Sequence, residues 1–198
     1  MRCVPVLIAL LILAACQRAD PAAKQPEAAQ ALVQRQSERV LELLSGDHSP
    51  EGERLKATAR LQLNDLGAAA AHLDAGIAAG GSAAVYADYA RLELIRGDLA
   101  RAEAMQAKAE QGGDAGLATL LTGGEIALAR KQPDRALAYL DRAAGLYPDN
   151  LAVLSNRALA LAELGRWSQL EPLVVQLERR LPGDEEVSAL RQRLTLRR

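Results

Sequence analysis

The chain has 198 residues, of which 49% are hydrophobic and 25% charged, a globular composition that excludes wholesale disorder. Its 24 Lys and Arg nearly balance 25 Asp and Glu, for a formal net charge of −1. It therefore lacks the basic footprint of a nucleic-acid-binding protein, and no DNA or RNA partner is expected. The length admits one domain of ordinary size or one elongated repeat array.

At the N-terminus, Arg2 precedes an apolar run from Val4 to Ala15 that closes on small residues. This is the layout of a secretory signal, and it is too short for a transmembrane helix, which needs roughly 20 apolar residues. The run ends in Leu13-Ala14-Ala15-Cys16, which resembles the lipobox of bacterial lipoproteins. That resemblance implies a signal peptide over residues 1–15, cleavage before Cys16, and lipid attachment at Cys16 through a diacylated thioether and an acylated amine. Cys3, the other cysteine, falls within the removed segment, so Cys16 would be the sole thiol, as suits an oxidising periplasm. Gln17 stands where an Asp would favour retention at the inner membrane, so the same resemblance implies the periplasmic face of the outer membrane. One acyl chain, at about 0.8 kcal/mol per buried CH₂, anchors marginally, whereas three would hold durably. Residues 16–26, with Pro21 and Pro26, read as an extended tether.

Beyond the tether, Leu32, Val33, Val40, Leu41, Leu43 and Leu44 recur at helical rhythm, and one helix is predicted over Glu27 to Leu44. Strand formers are scarce after residue 15, with three Ile, seven Val, four Thr and no Phe. Ala, Leu, Arg, Glu and Gln dominate instead, and they lose little side-chain entropy in a helix. Breakers cluster at Ser45 to Pro50, Gly80 to Ser82, Gly112 to Gly116, Pro148 to Asn150 and Pro182 to Asp184. The helical segments between them come in pairs, with mid-pair turns at Asn64-Asp65, Gly97-Asp98, Lys131-Gln132 and Gly165-Arg166. These turns are 33, 34 and 34 residues apart.

This period resembles the tetratricopeptide repeat, a 34-residue helix-turn-helix unit with small side chains where its helices cross. The units are 50–82, 83–116, 117–150 and 151–184. Their eighth positions hold Ala57, Ala90, Gly124 and Ala158; their twentieth hold Ala69, Ala102, Ala136 and Leu170. Small residues there let two backbones approach closely. Pro148 and Pro182 match the closing proline of the family, while Gly81 and Asp114 replace it earlier. The family's aromatic positions hold mainly Leu and Ala, Tyr86 being retained, and Trp167 falls at the seventeenth position. Both aromatics are read as core packing. Residues 185–196 read as a terminal capping helix covering the last apolar face, with Arg191, Arg193, Arg197 and Arg198 complementing its dipole. The expected fold is thus all-α: a right-handed superhelical solenoid of about four such units plus the cap, within residues 27–198.

Chemistry-bearing motifs are lacking. His48 and His72 with no cysteine in the folded part are too few for a usual zinc site. The glycine pairs match no phosphate loop, and no Gly-x-Ser-x-Gly or Ser-x-x-Lys pattern occurs. Neither cofactor, metal, small-molecule substrate nor enzymatic activity is expected. Gly123 and Gly124 interrupt a predicted helix at roughly 1 kcal/mol each relative to Ala, which points to tight packing. The family's concave groove, carried over to this chain, comprises Arg54, Thr58 and Gln62, then Arg91 and Leu94, then Leu121, Glu125 and Leu128, then Ser155, Leu159 and Glu163. Leu121, Leu128 and Leu159 suit either a groove for a partner's helix or extended segment, or packing between repeats. The Lys and Asn clamp by which some members grip a C-terminal carboxylate is missing.

The expected function is a non-catalytic, membrane-anchored scaffold that binds a protein or peptide segment and assists assembly of an envelope machine such as a pilus or secretion system. Small lipoproteins with these repeats include tight-adherence pilus proteins and pilotins. The alternative is an adaptor that recruits or regulates a periplasmic cell-wall enzyme or protease.

Overall fold

The computed structural model describes residues 21–113 and 116–196. The expected signal segment, Cys16, Asp114, Arg197 and Arg198 lie outside them. The chain divides into two compact units, Met1–Gly80 and Gly81–Arg198. Among the described residues all regular structure is helical, and none of the helices is long and apolar enough to cross a membrane.

In the N-terminal unit a 3₁₀ turn (Pro21–Lys24) leads into α1 (Gln25–Val33), followed by α2 (Ser37–Leu43), α3 (Pro50–Gln62) and α4 (Leu66–Ala78). Helix α1 packs on α2 and α3, and α3 on α4. Residues 21–26 are helical and docked, not an extended tether, since the Gln25 side-chain amide donates to Asp47 Oδ2 (2.7 Å) and Ser49 Oγ (2.9 Å). Residues 27–44 form two helices, not one. Arg35 adopts a left-handed φ of 57° between them, yet the apolar rhythm runs on because Leu32, Val40, Leu43 and Leu44 enter one shared core.

The C-terminal unit holds α5 (Ala83–Arg96), α6 (Leu99–Gln111), α7 (Leu117–Ala129), α8 (Pro133–Leu146), α9 (Leu151–Glu163), α10 (Trp167–Arg180) and α11 (Glu185–Thr195). Each helix packs on the next, and the alternate helices α5, α7, α9 and α11 also pack in succession. That is the contact pattern of stacked hairpins, and each layer covers the apolar face its neighbour cannot bury alone. Val187 and Leu190 of α11 close the largest core cluster, which includes Leu140, Leu161, Leu170 and Leu177.

The hairpin turns share one geometry in both units. Arg35, Asn64, Gly97, Lys131 and Gly165 all have positive φ, from 57° to 81°. At each, the following residue's N–H reaches back five residues to a carbonyl at 2.9 Å, for example Asp65 to Arg60 and Arg166 to Leu161. This is the six-to-one closure that satisfies orphan carbonyls at a helix end. The leading pair α1–α2 has the same turn and so has the form of a shortened hairpin. Helix starts are equally regular: Ser49, Asp65, Ser82, Asp98, Asn150 and Asp184 each accept from a backbone N–H three residues on.

The small crossing residues Ala57, Ala90, Ala158, Ala69, Ala102 and Ala136 are fully buried. A Cβ on Gly124 would stand 2.8 Å from Leu140 Cγ, and one on Gly123 would stand 2.8 Å from the Tyr139 ring. Leu140 has no exposed surface through which to yield. Both glycines therefore serve close helix approach, which accounts for their cost in helix propensity. Trp167 packs on the core as expected. Tyr86, by contrast, is half-buried beneath Lys108, whose ammonium lies 5.4 Å from its ring centre, and it is Tyr89 that is buried.

Candidate functional site

On the first-helix stack of the C-terminal unit, α5, α7 and α9 present Arg91, Glu125 and Asn156 side by side. Glu125 accepts from Asn156 Nδ2 at 3.4 Å, and the positive charge of Arg91 acts on its carboxylate. Burial nevertheless dominates and raises the Glu125 pKa above the usual carboxylate value, with Arg91 and Asn156 only partly opposing the shift. Leu121 and Leu128, at i−4 and i+3 from Glu125, share its face of α7. They pack with Leu159 against the main core while staying partly exposed, and Leu94 does the same beside Ala90, Ala102 and Ile126. These leucines thus both bridge repeats and contribute an apolar surface. Ser155 is half-buried on α9, whereas Glu163 at its end accepts from Arg193 of α11 at 3.1 Å.

The three residues chosen on α3 in the N-terminal unit are held within that unit. Arg54 forms a fork with Glu51 (2.8 and 2.7 Å), and Thr58 Oγ1 donates to the Arg54 carbonyl. Gln62 accepts from Ser37 Oγ (2.7 Å) and donates to the Leu32 carbonyl (3.0 Å), which ties α3 to the leading hairpin. Arg191 is likewise engaged, by Glu178.

Sequence reasoning missed a charged cluster in the N-terminal unit. Glu53, with 3% of its surface exposed, receives Lys56 Nζ (2.8 Å) and His48 Nδ1 (3.0 Å) at Oε1, and His72 Nδ1 (2.7 Å) at Oε2. Lys56 also donates to the Asp47 carbonyl at 2.7 Å. Asp47 in turn accepts from Gln25 and from the Ser49 N–H. A Cβ on Gly52 would collide with the Asp47 carboxylate, so the glycine admits that group to the start of α3. These hydrogen bonds outweigh burial and hold both carboxyls below their usual range. Both histidines converge on one carboxylate, but the Lys56 ammonium already supplies the cation there, and the cluster serves to pin the loop before α3 to α3 and α4. A signal was present: Glu53 takes the position that Tyr86, Leu120 and Leu154 fill in the other repeats.

Residues 127–194 match the family model described as tetratricopeptide repeat. No curated protein matches by sequence. Among solved structures, the chain is similar to one in the crystal structure of the APC/C hetero-tetramer Cut9-Hcn1 (TM-score 0.78, 11% identity, 90% of this chain covered) and spans 37% of that chain's length. It is also similar to pilF of Pseudomonas aeruginosa (TM-score 0.63, 14% identity, 87% of this chain and 96% of the other). A third likeness is to TTC0263, a thermophilic TPR protein of Thermus thermophilus (TM-score 0.59, 19% identity, 89% and 100%). The chain thus has the fold of a tetratricopeptide-repeat solenoid, with the family's sequence signature over residues 127–194, and folds of this kind act as scaffolds for protein or peptide partners.

Proposed function

We propose that the protein is a non-catalytic scaffold, lipid-anchored at Cys16 on the periplasmic face of the bacterial outer membrane. There it binds a segment of an envelope-machine component and assists assembly of a pilus or secretion system. The observation carrying the binding role is Glu125, a carboxylate kept in a desolvated place among half-exposed leucines. Such a group opposes folding at neutral pH and fits a surface awaiting a cationic or donor group from a partner. An amphipathic segment with a Lys or Arg among apolar side chains is complementary to it. The lipobox resemblance supports the anchor, and the likeness to pilF over nearly the whole of both chains supports the pilus reading.

Two outcomes test this. Replacing Glu125 with Gln relieves the burial of charge, so the variant is expected to be more stable at pH 7 by up to about 1 kcal/mol. A carboxyl whose pKa is raised by folding favours the native state below its ordinary value of 4.5, and that advantage is lost as pH rises through the raised value. The gain should therefore vanish below about pH 4, while photocrosslinking to partners in the native envelope from position 155 should weaken. An undiminished crosslink in Glu125→Gln would remove this face from the binding role. Separately, Cys16→Ser should move the protein from the membrane fraction to the soluble periplasm with an unchanged melting curve; continued sedimentation with membranes would count against the anchor.

A further inference from the structure

A second polar site lies away from the first-helix stack, between the second helices α6 and α8 over the opening turn of α7. An open cavity of about 520 Å³ is lined there by Glu110, Thr119, Leu120, Arg135, Tyr139 and Arg142, among others. That volume is within the range of sites that accept a ligand group. Arg135 and Arg142 are two turns apart on α8 and so lie along one side of the helix, with Tyr139 between them in sequence. The Arg135 guanidinium lies 6.0 Å from the Tyr139 ring centre. Opposite, Glu110 is held in place: Tyr139 donates its hydroxyl to Glu110 Oε1 at 2.5 Å, and Gln106 Nε2 donates to the same oxygen at 3.0 Å. Gly123 leaves the room that both groups need, since a Cβ there would meet the Tyr139 ring and Gln106 Nε2 within 3 Å.

Three features give the cavity a ligand preference. Two arginines against one glutamate leave a single net positive charge, which matches a monoanion better than a dianionic phosphate. Guanidinium forks suit planar carboxylates. Leu120 and the Tyr139 ring add apolar lining for a hydrocarbon stem. The mouth, edged by exposed Arg135, Ala138 and Arg142, suits a side chain projecting from another protein more than an enclosed metabolite.

We infer that this cavity is a second docking site, which takes a glutamate side chain of an acidic, partly apolar segment of a protein partner between Arg135 and Arg142. Side-chain NMR of the arginine Nε–H groups tests it on the whole chain. The probes are the peptide acetyl-Leu-Ala-Glu-Ala-Leu-amide, its Gln counterpart, hexanoate and inorganic phosphate. The Glu peptide should shift the Arg135 and Arg142 signals saturably and bind at least tenfold tighter than the Gln peptide, hexanoate or phosphate. Arg142→Gln, a change at an exposed position, should weaken it about tenfold, whereas Glu125→Gln should leave it unaltered because that residue serves the first-helix face. The inference is overturned if neither arginine signal moves or if Arg142→Gln binds like the wild type. Equal or tighter binding of hexanoate would make the cavity a site for free acids, and tighter binding of phosphate a site for phosphoanions; either result also overturns it.

Discussion

Glu53→Ala is expected to destabilise the N-terminal unit by about 3–5 kcal/mol, because it strands the Lys56 ammonium in a buried position with the Asp47 carbonyl as its remaining partner. The same truncation releases His48 and His72 together, so the loop before α3 and helix α4 both lose their bond to the Glu53 carboxylate in one step. Urea denaturation at pH 7 reads the loss directly, and a fall of less than 1 kcal/mol would show that the cluster does not hold the unit. Removing both charges with Glu53→Leu and Lys56→Met should be far milder than Glu53→Ala alone, since a matched apolar pair leaves no buried charge unpaired. Acid supplies an independent check. Glu53 and Asp47 are held below their ordinary values of 4.5 and 3.8, so their contribution is complete above the ordinary carboxylate range and is lost as pH falls through the lowered values. The wild type should therefore lose stability steeply below about pH 4, and Glu53→Ala should show a shallower slope there.

In the C-terminal unit, Ala136→Trp should cost roughly 3 kcal/mol, the upper end of the usual overpacking penalty. Ala136 has no exposed surface and sits within the cluster of Leu137, Leu140, Leu161 and Leu170. A Trp there has no room without separating α8 from its neighbours. Comparable thermal melts for this variant and for a Trp at the exposed neighbour Arg135 would contradict the crossing geometry. Hydrogen exchange should locate the damage in α7 to α11, the elements that supply this core.

Much of the repeat architecture was readable in the chain itself. A 33- to 34-residue spacing of turns reports the helix pairs because each hairpin must reverse at the same depth to stack on the next. Ala57, Ala90 and Ala158 report the crossings because nothing larger fits where backbones meet. Gly123 and Gly124 stood out as costly in a helix, and their neighbours Tyr139 and Leu140 supply the reason. The break at Arg35 was not readable, since a left-handed residue other than glycine leaves no compositional mark and both flanking helices share one core.

The candidate sites divide in the same way. Sequence placed Arg91, Glu125 and the leucines on the stacked first helices, but not the desolvation of Glu125, which depends on what α5 and α9 bring beside it. Gln62 read as a groove residue because nothing local shows that Ser37 and Leu32 return to claim both ends of its amide. Residue type and period are properties of the chain order and therefore determined the all-helical repeat, its turns and its tight crossings. Electrostatics act through space between residues far apart in that order, so the convergence on Glu53, the burial of Glu125 and the pairing of Tyr139 with Glu110 were decided by the tertiary structure.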